Sequence, residues 1–305
     1  MVEVTTSSVS PLSNSPLSRF EKNRQARSQR QIFLQRLRAN RLAVVGAVII
    51  GILIFFAIFG PLVAPENPIA MNLVNQFQPP SLAHPFGTDD FGRDILSRVI
   101  YGARLSLEVG IVAVVISGVI GSVVGLVAGY FGGWVDMVSQ RIIDVMLAFP
   151  GLLLALAIVA VLGPSLINVI IAVGIGSIPG YARLMRGEVL SLREKEYVEA
   201  VRAVGATDRR ILFHHILPNA LSPIIVLASL GIAGAILSAA ALSFIGMGAQ
   251  PPSPEWGAML SAGRQYLRDD WWIATFPGIA ISLTVLGFNV LGDGLRDALD
   301  PQGME

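Results

Sequence analysis

Six long apolar runs, separated by polar segments, set the hydrophobic pattern of this chain. They cover residues 42–62, 107–130, 145–163, 166–182, 223–247 and 272–291. Because about 20 mostly apolar residues in a helix span the hydrocarbon core of a bilayer, the pattern predicts six transmembrane helices. Six crossings place both termini on the same side of the membrane.

The composition supports an integral membrane protein. Of the 305 residues, 53% are hydrophobic and only 14% are charged, and the mean hydropathy is +0.65, which is too apolar for an ordinary soluble protein. The formal net charge of +1 gives no overall basic surface, so we expect no nucleic-acid partner. The absence of cysteine excludes disulfides and thiolate metal sites.

The positions of lysine and arginine predict the orientation. Eight of these residues precede or include Arg41, and seven lie in the segment 183–210, whereas the three segments facing the other way carry three, none and two. Basic loops are retained preferentially in the cytoplasm. We therefore expect both termini and the segment 183–210 to be cytoplasmic.

The polar segments suggest how the chain is organised around its membrane helices. Residues 1–18 have too few large apolar side chains to pack and are expected to be disordered. Residues 29–41 mix apolar and basic side chains, which fits either an amphipathic helix on the membrane surface or an extension of the first membrane helix. Two outward-facing segments, 64–104 and 249–271, begin with prolines that stop the preceding helix and are candidates to receive a delivery protein.

These features predict a definite order of regions. It runs as a cytoplasmic amino-terminal segment (1–41), a first membrane helix (42–62), an extracytoplasmic segment (63–104), a five-helix core (105–292) with a cytoplasmic loop (183–221), and a cytoplasmic tail (293–305).

Inside the spans, residue types indicate close packing. Gly121, Gly125 and Gly129 repeat every four residues, and small residues at that spacing let helix backbones approach closely. This packing role is favoured over a role in lining a pore.

A few charged residues accompany the third span. Asp136, Arg141 and Asp144 lie near its cytoplasmic end. They fit a solvated or paired cluster at the membrane border better than a proton relay, which would need ionisable groups at mid-span.

The sequence offers no sign of catalysis. It contains no H-E-x-x-H or G-x-S-x-G pattern, and no paired carboxylates within the membrane. It has no phosphate-binding G-x-x-x-x-G-K-[ST] loop, and its lysines are Lys22 and Lys195 alone. We therefore expect a non-enzymatic chain that binds no cofactor, with any ATP and magnesium held by another subunit.

The cytoplasmic loop is the most informative polar segment. Leu184 to Val204 is predicted to be helical and to stop at Gly205, where a left-handed residue is favoured. Thr207 resembles an N-cap, with Asp208 at the positive end of a short second helix that reaches about His215 and ends before Pro218. Such a loop either docks into a partner's groove or is a solvated connector.

The loop resembles the EAA motif of ATP-binding-cassette (ABC) importer permeases, Glu-Ala-Ala, three residues, Gly, nine residues, Ile, any residue, Leu-Pro. Val201 replaces the second alanine, and His215 stands where isoleucine is usual. We interpret the pair His214 and His215 as a surface feature of the docking helix rather than a metal site. The resemblance implies contact with an ATPase through Glu199, Ala200, Gly205, Thr207, Asp208, Arg209, His215, Leu217 and Pro218.

A wider resemblance extends from about Phe86 to Gln302. It lies in the segments FGTDDFGRD (86–94), YGARLSL (101–107), AGYFGG (128–133), QPPSPEWG (250–257) and GDGLRDALDP (292–301). These segments resemble the C-type permease subunit of dipeptide, oligopeptide, glutathione and nickel importers. The resemblance implies an all-α integral membrane protein with the type I ABC importer permease (MetI-like) fold, in a bacterial inner membrane.

The family resemblance also implies partners. These are a second, homologous permease, two cytoplasmic ATPase subunits and an extracytoplasmic solute-binding protein, besides membrane lipid. The leading hypothesis is a permease that forms half of an ATP-driven peptide pathway. The alternatives are the same architecture importing glutathione or nickel, an ATP-independent channel or secondary transporter, and a membrane-anchored structural subunit.

Overall fold

The computed structural model describes residues 37–299, so the disorder predicted for residues 1–18 and most of the segment 29–41 lie outside the described residues. Helices account for most of this part of the chain. The helices are α1 (Arg41–Val63), α2 (Ile95–Phe131), α3 (Gly133–Leu147), α4 (Gly151–Leu162), α5 (Leu166–Arg193), α6 (Glu196–Ala203), α7 (Asp208–Arg210), α8 (Leu217–Phe244), α9 (Trp256–Gly263) and α10 (Trp272–Leu299). A π-helical turn, Ile211–Ile216, joins α7 to α8, and short 3₁₀ turns cover Leu73–Asn75 and Arg264–Tyr266.

Five helical segments are long and apolar enough to cross a membrane: α1, α2, α5, the run from α7 to α8, and α10. Four of them extend well beyond the predicted apolar runs, and α1 exceeds its run by one residue at each end. Helix α2 begins at Ile95, inside the segment predicted to be extracytoplasmic. Helix α10 continues into the predicted tail as far as Leu299. With 37 residues, α2 is about 55 Å long, which exceeds the hydrocarbon thickness of about 30 Å. Hydropathy identifies the membrane-embedded part of a helix and not its ends.

The third predicted span, 145–163, is not a single straight helix. Helices α3 and α4 replace it and are bent by 88° at the break between them. Pro150 is the N-cap of α4, and proline restricts the preceding residue to extended backbone and cannot continue a helix. Helix α4 alone has 12 residues, about 18 Å, and is too short to cross a bilayer without α3.

The relative direction of α2 and α5 shows that this bent pair completes a crossing. A Cβ atom at Gly121 would lie 2.7 Å from the carbonyl oxygen of Ile178, and one at Gly129 would lie 3.0 Å from that of Arg186. Residue numbers therefore increase together along the two helices, which are parallel. Because parallel spans need a return between them, α3 and α4 together bring the chain back, and the sequence prediction of six crossings holds.

The remaining long helices alternate in direction. A Cβ atom at Gly110 of α2 would meet Ile236 of α8, whereas one at Gly231 of α8 would meet Val114 of α2, so these two helices are antiparallel. Helices α1 and α10 are antiparallel as well, and Asn40 donates a hydrogen bond to Asp297 at 3.2 Å. The described ends of the chain therefore lie at one end of the bundle.

We call this the loop end, because the polar segment 194–216 lies there too. The Arg193 side chain donates to the carbonyl oxygen of Gly129 at 3.0 Å, which ties α5 to the end of α2. The opposite end carries residues 64–94 and 245–271, and we call it the platform end. The fold thus separates the two polar surfaces by the length of the membrane helices.

Two acidic residues of α3 are paired at the loop end, as predicted for a border cluster. Asp136 accepts from Arg186, and Asp144 accepts from Arg183 at 2.7 Å. The third member of the predicted cluster, Arg141, is exposed. These ion pairs join α3 to α5 and favour the paired-cluster interpretation over a proton relay.

Candidate functional site

The polar loop at the loop end begins with a break that the sequence prediction missed. A single helix was expected from Leu184 to Val204, but α5 ends at Arg193 and α6 begins at Glu196. Lys195 has extended backbone angles, and its carbonyl oxygen accepts from the amides of Val198 and Glu199. Helix α6 is therefore a separate element, positioned by its own first turn.

Gly205 ends this element as predicted. Its φ angle is +82°, in the left-handed region that a Cβ atom disfavours. The amide of Gly205 donates to the carbonyl oxygen of Arg202, and that of Ala206 donates to Val201. These bonds satisfy carbonyls at the end of α6 and redirect the chain toward α7.

Helix α6 has one buried and one exposed face. Val198 is fully buried and belongs to the apolar core that contains Met185 and Val189 of α5, and Val201 packs against that core. On the other face, Glu199 and Ala200 are exposed. At the end of the helix, 84% of Val204 is exposed. The loop is therefore held by its buried face and exposes an acidic and small-residue surface to solvent.

The predicted N-cap role of Thr207 is only partly observed. Thr207 occupies the N-cap position of α7 with extended backbone angles, but its side chain makes no capping hydrogen bond. The carboxylate of Asp208 instead accepts from the Tyr130 hydroxyl of α2 at 2.5 Å. This contact joins residues 78 positions apart in the chain, and nothing in the sequence indicates it.

The second helix of the loop does not end before Pro218 as predicted. The helix runs from Asp208 through the π-helical turn into α8, and Leu217 donates to the carbonyl oxygen of Leu212, five residues earlier. This wider register accommodates Pro218, which lacks an amide hydrogen. The Asn219 side chain donates to the carbonyl oxygen of His215 at 2.6 Å. The loop and a membrane helix therefore form one continuous rod.

Most of the predicted docking residues are accessible on this surface. Helix α7 and the π turn are held by the buried side chains of Ile211, Leu212 and Ile216. Two predicted residues, His215 and Leu217, are half-buried. The exposed ones are Glu199, Ala200, Gly205, Thr207, Asp208, Arg209 and Pro218. Phe213, 57% exposed, was not predicted and adds an apolar side chain to the surface.

The platform end is organised around a buried arginine. Arg98 donates to the carbonyl oxygens of Pro68, Pro252 and Ser253 and lies 3.7 Å from Asp89. It thereby joins the two segments that the sequence predicted to face outward. Tryptophan side chains reinforce the junction, since Trp272 donates to the carbonyl oxygen of Thr88 at 3.1 Å and Trp256 to that of Val99 at 3.0 Å.

A cavity of about 820 Å³ opens at the platform end beside this junction. Its wall includes charged side chains of both signs: Glu66, Arg104 and Glu108. The other lining residues are Pro61, Ala64, Pro65, Asn67, Pro68, Ile69, Tyr101, Leu105, Ser253 and Pro254.

Comparison with known proteins shows to which family this chain belongs. Residues 121–302 match the family described as binding-protein-dependent transport system inner membrane component. The chain belongs to this family of importer permeases. Residues 28–80 match the N-terminal transmembrane domain of oligopeptide transport permease C.

Curated relatives resemble this permease over most of its length. The dipeptide transport system permease protein DppC of Alkalihalophilus pseudofirmus is 54% identical over 273 residues, covering 90% of each chain. The probable D,D-dipeptide transport system permease protein DdpC of Escherichia coli K12 is 47% identical, over 87% of this chain and 89% of the relative. The glutathione transport system permease protein GsiD of Escherichia coli O1:K1 is 50% identical, over 91% and 92%.

Solved structures support the fold. The permease resembles a chain of the MetNI methionine ABC transporter in an inward-facing conformation, with a TM-score of 0.55 and 20% identity. The similarity covers 68% of this permease and 98% of that chain. The predicted all-helical ABC importer permease fold is thereby confirmed, and the family match and the relatives confirm the inner-membrane location. The protein is a multi-pass inner-membrane permease.

Proposed function

We propose that this permease forms half of an ATP-driven peptide import pathway, with dipeptides or short oligopeptides as solutes. The observation that carries the proposal is the continuous rod from the polar loop into α8. A partner that binds the loop therefore acts directly on a membrane helix. The names of its relatives, which include two dipeptide permeases, support the choice of solute.

The proposed partner at the loop end is a pair of ABC ATPase subunits. The exposed carboxylate of Glu199, the small side chain of Ala200 and the protruding Val204 offer a surface that a groove can receive. ATP and magnesium are held by those subunits, and this chain binds no cofactor. The basic residues gathered in the segment 183–210 favour a cytoplasmic position for the loop end, and with it for both termini.

Transport follows from two states of a rigid assembly. ATP binding closes the ATPase pair and carries the loop with it, and α8 tilts because it continues the loop helix. The translocation pathway then opens toward a solute-binding protein docked at the platform end. ATP hydrolysis returns the assembly to the state in which the pathway opens at the loop end. Such switching needs contacts that differ between the two states. A second, homologous permease completes the path.

Reconstitution tests this function. The permease is placed in vesicles with its partner permease, its ATPase subunits and its binding protein, and uptake of a labelled dipeptide is measured with ATP and with a non-hydrolysable analogue. In the complete vesicles we expect the labelled dipeptide to accumulate with ATP and not with the analogue. We expect no accumulation in vesicles that contain only this chain. Uptake by this chain without an ATPase would contradict the proposal.

Competition then identifies the solute. An excess of unlabelled dipeptide or tripeptide is expected to suppress uptake, whereas glutathione is expected to compete weakly. The glutathione permease among the relatives makes this comparison informative. ATP-dependent accumulation of glutathione in preference to dipeptides would replace the peptide assignment and leave the importer assignment intact.

A further inference from the structure

We propose that Tyr130 is a positioning residue, which transfers the motion of the polar loop to helix α2, the close partner of α5. This inference rests on the proposed function, because it concerns how force applied to the loop spreads through the permease. The structure places Tyr130 one residue before the end of α2, with its ring buried in the apolar core and its hydroxyl bonded to Asp208.

The bond between Tyr130 and Asp208 has a fixed geometry and a charged acceptor. Hydrogen bonds to ionised groups are shorter and about twice as strong as those between neutral groups, and this one measures 2.5 Å. The bond between Tyr130 and Asp208 is the only side-chain hydrogen bond between α2 and α7 in the described part of the chain.

Helices α2 and α5 form a rigid pair behind this contact. At Gly125 a Cβ atom would collide with the carbonyl oxygen of Ala182, and at Gly121 it would lie 2.7 Å from that of Ile178. At the end of the pair, Arg193 donates to the carbonyl oxygen of Gly129. A displacement of the end of α2 is consequently shared by α5.

Helix α8 needs no such contact, because it continues the loop helix through the π turn. Among the described residues, helix α2 contacts the loop by apolar packing, in which Leu126 and Leu212 border one groove, and through the Tyr130 hydroxyl. Apolar packing is non-directional and permits sliding, whereas a hydrogen bond fixes the relative position of two atoms. Helix α5 is already joined to the loop by the chain and by the buried Val198, so Tyr130 is the contact that makes α2 follow the loop helix.

The test uses the full reconstituted transporter and compares solute taken up per ATP hydrolysed. Tyr130→Phe removes the hydroxyl and keeps the buried ring, and Tyr181→Phe makes the same change at a buried tyrosine of α5, whose hydroxyl donates a long hydrogen bond, 3.5 Å, to the carbonyl oxygen of Leu227. We expect Tyr130→Phe to lower the uptake-to-hydrolysis ratio about tenfold, as loss of a hydrogen bond to a charged group shifts a two-state equilibrium. ATP hydrolysis continues in Tyr130→Phe, and the uptake-to-hydrolysis ratio in Tyr181→Phe stays at the wild-type value.

A double variant ties the effect to the bond. Asp208→Ala and Tyr130→Phe combined are expected to lower the ratio no further than Asp208→Ala alone, since both remove one interaction. The proposal is overturned if Tyr130→Phe has the wild-type ratio, if the two effects multiply, or if uptake and hydrolysis fall together through loss of assembly. Absence of ATP-driven uptake in the wild-type complex would instead reject the proposed function, and this inference with it.

Discussion

Asp136 of α3 accepts two hydrogen bonds from Arg186 of α5, at 2.5 Å from Nε and 2.6 Å from Nη2. The planar guanidinium fork matches the carboxylate and holds α3 against the loop end of α5. The pair is only partly exposed, at 20% for Asp136 and 30% for Arg186. The ion pair therefore holds α3, the first helix of the bent third crossing, against α5.

Asp136→Asn is expected to destabilise the purified permease complex by about 1–2 kcal/mol, because the buried part of the pair is only weakly screened by solvent. Thermal unfolding of the complex in detergent measures the change. Asp144→Asn is the matched control, since its pair with Arg183 is more than half exposed and its loss should change the midpoint less. Equal shifts in the two variants would show that the Asp136 pair has no special role.

Gly125 allows the close approach of α2 and α5. In Gly125→Ala the new Cβ atom collides with the backbone oxygen of Ala182, which no side-chain rotation can relieve, so the helices must separate. We expect greatly reduced amounts of folded complex, measured by size-exclusion chromatography of the solubilised protein. Gly187→Ala in α5 meets no atom within 4 Å and should fold at least as well as the wild type. Normal folding of Gly125→Ala would contradict the packing described above.

Glu199→Lys tests the docking surface. Glu199 is exposed on α6, so reversal of its charge should leave the fold intact and weaken the proposed contact with the ATPase. We expect normal amounts of permease in the membrane and loss of coupled uptake, measured by transport and by copurification of the ATPase. Glu196→Lys makes the same change three residues earlier and should have a smaller effect. Wild-type transport by Glu199→Lys would contradict the docking role.

Gly205→Pro tests the turn after α6. The φ angle of +82° at Gly205 is inaccessible to proline, whose φ is near −65°, so the turn must rearrange while the membrane helices insert. Uptake is expected to fall with no loss of membrane insertion. If uptake in this variant equals that of the wild type, the conformation of the turn is not required for coupling.

Arg98→Ala tests the platform. The side chain is almost fully buried and donates to carbonyl oxygens from two distant segments, so its removal leaves buried acceptors unsatisfied. We expect a loss of about 3 kcal/mol or more and cleavage of residues 64–94 under limited proteolysis. Arg104→Ala, an exposed arginine of the same helix, should leave the proteolysis pattern unchanged. An unaltered pattern in Arg98→Ala would refute the organising role.

The pH dependence of stability tests the burial of Glu255. Burial raises the pKa of this carboxyl group above 4.5, although it caps α9 by accepting from the amides of Gly257 and Ala258. The pKa of Glu255 is therefore higher in the folded protein than in the unfolded chain. The protonated carboxyl group stabilises the fold below pH 4.5, and this stabilisation is lost as the pH rises through the folded-state pKa. Glu255→Gln cannot ionise, so the difference in unfolding temperature between wild type and variant should change over this interval. A pH-independent difference would contradict the raised pKa.

Much of the fold is predictable from hydropathy because the free energy of transferring a segment into lipid is a sum over its own residues. For this reason the predicted run 42–62 agrees with α1 within one residue at each end. The same argument fails for 145–163, where the apolar residues on both sides of Pro150 belong to helices bent by 88°. Hydropathy does not register the direction of the backbone.

In the candidate site, too, local features were predictable from the sequence and features that depend on tertiary contacts were not. The left-handed turn at Gly205 is a local property, and it was predicted. The contact of Asp208 with Tyr130 depends on the packing of α2 against the loop, and the sequence assigned Asp208 to a helix terminus. Two local signals were misleading. The residues around Glu194 favour a continuous helix, and Pro218 favours a helix end, but the burial of Val198 and Ile216 outweighs both preferences.

The sequence alone determined the six apolar spans, because apolar length is an additive property of the chain, and the family of importer permeases, because motif residues and their spacing are local. The tertiary structure alone decided that α2 and α5 are parallel, that the third crossing is bent, and that the loop is bonded to α2 and continuous with α8. Those features arise from contacts between residues far apart in the chain, whose free energies exist only once the helices have packed.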